Sequence, residues 1–570
     1  MASRQPLQPM DVTSLKAVLS EWRLQLVPSR FEKAQQPDPQ MIQLGLRSLD
    51  GMQWLLLSWQ ADAARLYRID PPARSGEGST LAQQLQHGLR GLALVEIRQP
   101  GWERVVELGF ARRPDDPIER WLVAELMGRR SNLLLLDGQR QVVTLARQVK
   151  DSQSRLRPLT TGDAYTSPPV LQGEPPQQPG SQEVWQRRLM LRSQPLGEAL
   201  LEAYQGVSPA LVRQLLDDEQ RQRCVFDLAD TTWAGLWQRW SRWLEAVQRD
   251  DFGWWQHGAG YRCWQPLPPS ASPQTPPADL DRWLINRGAA GYYEGILQRR
   301  RLQERRQQLE LLLQRGLQQE RQQRQEQERL LALTGSSEQL QRQADGLLCQ
   351  RAPSKACIEE AQRLYRQARK LRRGVEAIQQ RLALHHQRLE ALEASLVYLT
   401  QAEDEVGLDG LAHEIEAWHR RARRRTGASA PARDRHLPHP LELRTPGGLT
   451  VQVGRNHRQN EWISLRQARR GDLWFHAQEL PGSHVVLKCS VAPAADGDQQ
   501  LAADLAAHFS RGRGNRKVPV VMVPTHDLQR IPGAAPGTVR HRGGTLLWGE
   551  PERALAALAA APSLRPSPQP

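Results

Sequence analysis

The chain has few of the features that would place it in a membrane, in an oxidising compartment or among enzymes with a recognisable nucleophile. Its 570 residues include five cysteines, Cys224, Cys263, Cys349, Cys357 and Cys489. They form no CxxC pair, and an odd number at irregular spacing argues against a disulfide framework, so a reducing, cytoplasmic setting is expected. No window approaches about 18 consecutive apolar residues, which excludes a helical membrane span. Residues 1–30 lack a cationic start followed by an apolar stretch, which argues against secretion. The sequence contains no GxSxG, no Walker loop and no HExxH. We therefore expect a protein that is not an enzyme, with no catalytic residues and no cofactor.

What is present points to a polyanionic partner. Lysine and arginine number 77 against 62 aspartates and glutamates, a formal charge of +15, which favours nucleic acid. At this length three or four domains are expected. Residues 1–170 alternate short apolar runs with turn signals (Met41 to Leu46, Trp54 to Trp59, Leu92 to Ile97, Val105 to Leu108, Leu133 to Leu136) and predict a β-rich α+β domain, closed by a Pro-rich stretch around Pro168-Pro169. Residues 184–285 are helical at first. Within them Tyr204 to Val212 places a glycine turn before Ser208-Pro209, which suits a helix-hairpin-helix whose second helix offers N–H groups to a phosphate, or an ordinary helical connection. Trp254 to Pro277, dense in Trp and Pro, predicts an irregular connector.

Residues 290–420 predict a long coiled coil. Ala361, Leu364, Ala368, Leu371, Val375, Ile378, Leu382, His385, Leu389, Leu392, Leu396 and Leu399 alternate spacings of three and four, interrupted chemically only by His385. Tyr292 to Leu347 is the natural antiparallel partner, with a turn near Gln350 to Ser354 and arms of roughly 60 to 80 Å; a dimerising coiled coil is the alternative. Residues 421–440 form a basic linker in which Arg423 and Arg424 are either solvated or in contact with RNA phosphates. Residues 441–561 return to an α+β pattern, with a helix over Gln500 to Ser510 and a strand over Val518 to Val523. Residues 562–570 form a Pro/Ser-rich tail expected to be disordered.

Gly471 to Lys488 is the densest segment. Leu473 to Phe475 and Val485 to Leu487 predict two strands, and Pro481-Gly482 is expected to set the turn and present backbone N–H groups suited to a phosphate. The plainer reading is a hairpin with Trp474 and Phe475 in its core and His476 and His484 internally satisfied. The two histidines lack a companion Cys or carboxylate at ligand spacing, so no metal site is expected.

This segment, with Gly448 to Asn460 and Pro532 to Val539, resembles the C-terminal RNA-binding domain of the NFACT family. In the N-terminal half, Glu125-Leu126-Met127-Gly128-Arg129-Arg130-Ser131-Asn132 is similar to the family's Glu-x-Met-Gly-(basic)-x-Ser-Asn signature, and Trp102-Glu103-Arg104-Val105 stands where the family carries an Asp-Arg pair. Met10-Asp11, Arg157-Pro158 to Pro169 and Gln362 to Leu371 also match, so the resemblance covers nearly the whole chain. It implies a ribosome-associated quality control factor that binds a large ribosomal subunit through its rRNA where peptidyl-tRNA obstructs it. It further implies recruitment of Ala-tRNA, template-free C-terminal alanine tailing for degradation, and a small RqcP-like S4-domain protein as a further partner.

By the same resemblance, Glu103, Arg104, Arg129, Ser131 and Asn132 are expected to contact tRNA, and Asp472, Trp474, His476, Gly482, Ser483 and His484 to contact RNA; Arg423 and Arg424 are RNA-contact candidates on their charge. For Glu103 and Arg104 the alternative is a surface ion pair worth under about 1 kcal/mol. The family's N-terminal fold is similar to formamidopyrimidine-type DNA glycosylases, but the sequence has neither their Pro-Glu start nor their C-terminal zinc finger. Some family members are described as fibronectin-binding, which makes a surface adhesin the alternative function, and a generic RNA-binding coiled-coil scaffold a third.

Overall fold

The structure is a computed structural model that describes residues 7–73, 79–150, 152, 154, 157–177, 181–265, 281–334, 336–349, 354–402, 404–423, 439–531 and 536–560. The chain divides into two compact units, Met1–Gln298 and Arg299–Pro570.

The first unit opens with α1 (Val12–Leu26), capped by Asp11, whose Oδ1 accepts from the Ser14 N–H at 2.9 Å. Nine strands follow, with one helix, α2 (Thr80–Leu89), between the fourth and the fifth: β1 (Ser29–Asp38), β2 (Met41–Ser48), β3 (Gly51–Ser58), β4 (Arg65–Ile69), β5 (Ala93–Arg98), β6 (Val105–Ala111), β7 (Arg120–Glu125), β8 (Asn132–Asp137) and β9 (Val142–Leu145). They form one antiparallel sheet in the order β4-β3-β2-β1-β5-β6-β7-β8-β9. The apolar run Leu133 to Leu136 reads as continuous because both faces are covered. Leu133 and Leu135 join the core around α1, while Leu134 and Leu136 pack with Trp121, Val123 and Tyr165 on the other face.

The helical region comprises α3 (Gln182–Leu189), α4 (Leu196–Ala203), α5 (Pro209–Leu215), α6 (Asp218–Gln222) and α7 (Asp230–Arg249) around Trp185, Trp233, Trp240 and Trp243. Part of the stretch expected to be an irregular connector is instead a hairpin, β10 (Trp255–His257) and β11 (Gly260–Arg262), and Tyr261 and Cys263 enter the first core. The start of α8 (Leu284–Thr334) also belongs to that core through Ile285, Ala289, Tyr293 and Ile296. The Glu21 carboxylate accepts from the N–H groups of Ile285 (2.8 Å) and Asn286 (3.0 Å), and Trp22 Nε1 donates to Asn286 Oδ1 at 2.8 Å. The coiled-coil boundary at 290 is thereby corrected: α1 supplies the acceptors for the first turn of α8, and the helix begins as globular core.

In the second unit α8 continues and is followed by α9 (Ser336–Leu348), α10 (Lys355–Gln401) and α11 (Glu405–Arg423). At about 1.5 Å per residue the 47 residues of α10 span about 70 Å. Pairing within the chain is antiparallel: Glu320 meets His385, Arg321 meets Glu393, and Leu309, Leu313 and Leu317 pack with Leu389, Leu392 and Leu399. The expected turn over 350–353 lies outside the described residues. The seam does not run on to 420. It ends at Ala402, where Asp404 Oδ1 accepts from the Gly407 N–H at 2.7 Å and starts α11, which folds Leu408, Leu411 and Ile415 onto the same cluster. Arg421 to Arg423 of the expected linker are helical; residues 424–438, Arg424 included, and the expected tail at 562–570 lie outside the described residues.

The C-terminal α+β domain comprises β12 (Leu441–Arg444), β13 (Thr450–Val453), α12 (His457–Glu461), β14 (Leu473–Ala477), β15 (Val485–Lys488), α13 (Asp496–His508), β16 (Val518–Pro524), β17 (Leu528–Arg530), β18 (Val539–His541), β19 (Thr545–Gly549) and α14 (Pro551–Ala560). Six strands form a sheet in the order β12-β13-β15-β14-β16-β19, and β17 pairs with β18. Phe475, Val485, Leu487, Val518 and Val520 pack under the alanine-rich α13, whereas Trp474, Val486 and Val523 face Ile463 and Leu528. The alternation along each strand is that of a sheet with two different faces.

Candidate nucleic-acid interface

Two sets of residues were singled out in the sequence, and the structure treats them differently. In the first unit, β5 ends at Arg98, β6 begins at Val105, β7 ends at Glu125 and β8 begins at Asn132, with Val105 opposite Glu125 and Glu125 opposite Asn132. Antiparallel pairing therefore brings the loops 99–104 and 126–131 to one end of the sheet. Ala146, just after β9, donates its N–H to Leu133 O at 2.8 Å, which adds Arg147 to the group. Glu103, Arg104, Arg129, Arg130 and Arg147 are thus neighbours by topology. Arg129, Arg130 and Arg147 are exposed and Arg104 partly so, and neither Arg104 nor Arg129 makes an ion pair with a described residue.

The scaffold under this cluster is rigid. Glu125, 1% exposed, receives Arg157 in a two-pronged ion pair (Nη2 to Oε1 2.6 Å, Nη1 to Oε2 3.0 Å) and the Tyr165 hydroxyl at 3.0 Å. Its charge and the burial around it push the Tyr165 hydroxyl well above its ordinary value, so it stays a donor. Gly128, at φ +59°, turns the loop in a conformation costly to other residues. Ser131 Oγ accepts from the Met127 N–H (2.8 Å), and Asn132 accepts from the N–H groups of Leu133 and Arg147 and donates to Arg147 O. Both side chains are buried. Their hydrogen bonds shape the loop that carries Arg129.

Glu103 does not pair with Arg104. Its Oε1 accepts from the Leu171 N–H at 3.1 Å, tying the loop to the segment that leads into the helical region. The neighbouring Trp102 packs on Trp243 at 5.6 Å, with the Lys16 ammonium 5.2 Å from its ring centroid. The expected helix-hairpin-helix turn presses on Trp102 from behind, for a Cβ at Gly206 (φ +72°) would lie 3.0 Å from Trp102 O. At the start of its second helix Ser208 Oγ caps α5, accepting from the Leu211 N–H, and donates to Asp11 Oδ2 at 2.5 Å.

Asp472, Trp474, Gly482, Ser483 and His484 of the C-terminal set are buried, and His476 is half-buried. Asp472 is fully buried and accepts from the N–H groups of Arg469 (2.9 Å) and Ser490 (3.0 Å) and from Lys488 Nζ (3.1 Å); against the cost of burial, these donors hold its carboxyl below the usual range. Trp474 is buried, with His476 stacked on it at 5.6 Å and His484 edge-on at 5.0 Å. Burial holds His476 down at about 4 and His484 well below its ordinary value, so both rings are neutral at pH 7. His484 Nδ1 pairs with Ser464 Oγ at 2.8 Å.

Pro481-Gly482 does not form the turn. The chain reverses at Gln478-Glu479, where Glu479 takes φ +56°, while Gly482 lies extended beside Ser510 and the Ser483 N–H donates to Phe509 O at 2.8 Å. Glycine is required at 482 by close approach, since a Cβ would stand 2.8 Å from that of Ser510. Gly482 O accepts from the Tyr398 hydroxyl at 3.0 Å, which accepts from Asn460 Nδ2 at 2.8 Å, and Asn460 Oδ1 accepts from the His484 N–H at 3.1 Å. These groups fasten the end of α10 to the sheet. Arg423 lies in α11. Among the described residues no group of three His, Cys, Asp or Glu side chains is placed to hold a metal, and no helix is long and apolar enough to cross a membrane.

Sequence reasoning missed Arg147, which follows a strand and carries no motif; its Nη1 donates to Arg129 O at 2.5 Å. Only the register of β8 against β9 brings it to the cluster.

Similarity to known proteins extends over nearly the whole chain. The family model of the NFACT N-terminal and middle domains matches residues 11–352 and 352–429. The chain is similar to the protein named Rqc2 homolog RqcH of Streptococcus pneumoniae, 25% identical over 573 residues that cover 94% of this chain and 97% of the relative. A protein of the same name from Bacillus subtilis is 22% identical over 569 residues, covering 90% and 93%. Among solved structures, the C-terminal part of the fibronectin/fibrinogen-binding protein from Streptococcus suis is 26% identical, covering 45% of this chain and 99% of its own, with a TM-score of 0.37. With that family model spanning well over half of its length, the chain belongs to the NFACT family.

Proposed function

We propose that the protein is a ribosome-associated quality control factor. It binds large ribosomal subunits that still hold peptidyl-tRNA, engages rRNA, and brings Ala-tRNA to them for template-free C-terminal alanine tailing, which marks the nascent chain for degradation. A small S4-domain protein assists it. The protein is not an enzyme in this reading: the peptide bond is formed by the ribosome, and the chain contributes positioning, which by itself accounts for large rate effects.

The observation that carries the reading is the end-to-end similarity to proteins named Rqc2 homolog RqcH. It is supported by the arginines at one sheet end, which form no ion pair with a described residue and are of the type that binds phosphate. The test is to purify the tagged full-length chain at moderate salt, sediment it on a gradient and sequence the RNA that travels with it. Co-migration with free large subunits, enriched in alanine tRNA, is the expected result. Sedimentation away from ribosomes with unselected RNA would reduce the protein to a general RNA-binding scaffold.

A further inference from the structure

The C-terminal sheet is sealed on one face by α13, and only part of its other face is covered. Residues opposite each other in antiparallel strands share a face. The registers of β14 with β16 and of β16 with β19 therefore set Trp474 beside Val523, His476 beside Val521 and Leu546, and Pro519 beside Trp548, all away from α13. Ile463 and Leu528 cover the Trp474 row. Beyond it, towards β19, the cover is only partial: His476, Pro519 and Val521 are half-buried. Leu546 is 50% exposed and Trp548 54% exposed, although both sit in a regular strand, and β19 is the edge of the sheet. An aromatic and a leucine side by side in the open are unusual on a surface that has no partner.

The surroundings are basic. Arg540 and Arg542 are exposed on and just after β18, whose His541 ring lies 5.9 Å from that of Trp474 on this same face. Gly544 brings the intervening chain down onto the sheet, since a Cβ there would come within 2.7 Å of a Val521 methyl. Beside the Trp548 row stand Lys517 and Glu550, paired at 3.5 Å, and Arg516 is exposed next to them.

We propose that Trp548 and Leu546, with Pro519 beside them, form a stacking platform for unpaired RNA bases, with the phosphates of the strand on Arg540 and Arg542. The chemistry selects the ligand. A base that is not paired offers a π-face that an indole can cover, which a duplex keeps inside its own stack, and positive charge along the rim matches a strand that carries one phosphate per base. This inference rests on the reading that the chain works on RNA, and it assigns the contact to a surface other than the segment 472–484.

The test uses the full-length chain and two labelled RNAs, a 12-nucleotide oligouridylate and a perfectly paired hairpin, with affinity followed by fluorescence anisotropy at several salt concentrations. Trp548→Ala is expected to weaken oligouridylate binding about tenfold, the effect of losing one stacked base, and to leave the hairpin affinity and the melting temperature unchanged. Trp548→Phe should restore most of the binding, and Leu546→Ser should weaken it in the same direction. Joint substitution of Arg540 and Arg542 by alanine should lower the salt dependence by about two counterions. If the wild-type protein binds oligouridylate and Trp548→Ala binds it equally well, the platform is wrong while the RNA reading stands. Failure of the wild-type chain to bind either RNA at low salt, or to sediment with ribosomes, would remove both. Should Trp548→Ala abolish self-association while leaving RNA affinity intact, the face is an interface between two copies and the proposal is overturned.

Discussion

The two segments richest in polar motif residues, 99–132 and 460–484, end in opposite conditions. At the sheet end of the first unit, polar side chains that are buried, Glu125, Ser131 and Asn132, are satisfied by Arg157, Tyr165 and backbone groups, and Arg104 and Arg129 remain outside without an ion-pair partner among the described residues. In the C-terminal segment several motif groups are taken up internally, Asp472 by three donors, His484 by Ser464 and Gly482 O by Tyr398, while Trp474 Nε1 and Ser483 Oγ are buried without a partner among the described residues and Arg466, Arg469 and Arg470 stay exposed. A motif dense in His, Asp and Trp can thus be a fastening device. What marks a contact surface is the polar group that its own fold leaves unpaired.

The sharpest way to break this contrast is to attack the buried support and watch the exposed residues fail with it. Glu125→Ala leaves the Arg157 guanidinium and the Tyr165 hydroxyl without their acceptor, and loss of one member of a buried pair costs about 3–5 kcal/mol. Urea unfolding should show a correspondingly lower midpoint. Gly482→Ala comes next. Backbone atoms of Ser510 and Phe509 stand within about 3.0 Å of the added methyl group, and overpacking of that kind costs about 1–3 kcal/mol. Thermal melting should drop for this variant too, and if it instead lost RNA affinity at full stability, the account of residue 482 as a packing position would be wrong.

Removing the exposed guanidiniums should do the reverse. Arg104→Ala combined with Arg129→Ala is expected to lower tRNA co-purification about tenfold and the salt slope by about two, with the unfolding free energy changed by less than about 0.5 kcal/mol. Unchanged tRNA recovery would sink the assignment. Acidity sharpens the comparison from the other side. His476 and His484 are neutral in the fold because burial lowers them, while in the unfolded chain they take up protons below about pH 6.5. The unfolded state therefore binds more protons, and stability of the C-terminal domain is lost as pH falls from about 6.5 towards 4 and is flat above 7. Melting at pH 7.5, 6 and 5 checks this, and His476→Phe, which keeps the ring stack, should flatten part of the slope.

The legibility of the sequence followed the same divide. Strands whose two faces are both covered, such as Leu133 to Leu136, show as apolar runs, and the helical arms show through leucine spacing. Their ends were not visible. Where α8 begins depends on acceptors that Glu21 supplies from 264 residues away, and where α10 ends depends on a cap at Asp404 within an unremarkable polar stretch. The position of the hairpin reversal was misjudged because Pro-Gly is a strong local turn signal, and the close approach of Ser510 that makes residue 482 a glycine is a tertiary contact. Trp548 carried no signal either, for an alternating strand reads the same whether its second face is covered or open.

The smallest effect expected concerns Glu103. The family's aspartate at this position is one methylene shorter, and in this chain the longer side chain reaches the Leu171 N–H at 3.1 Å. Glu103→Asp should release that bond, costing under about 1 kcal/mol, because Trp102 behind it stays held between Trp243 and the turn at Gly206. If the carboxylate serves only as this tie, tRNA recovery will be unchanged and hydrogen exchange at Leu171 will rise. A change in which tRNA is recovered, with exchange at Leu171 unaltered, would instead place Glu103 among the residues that read the ligand, on the same footing as Arg104.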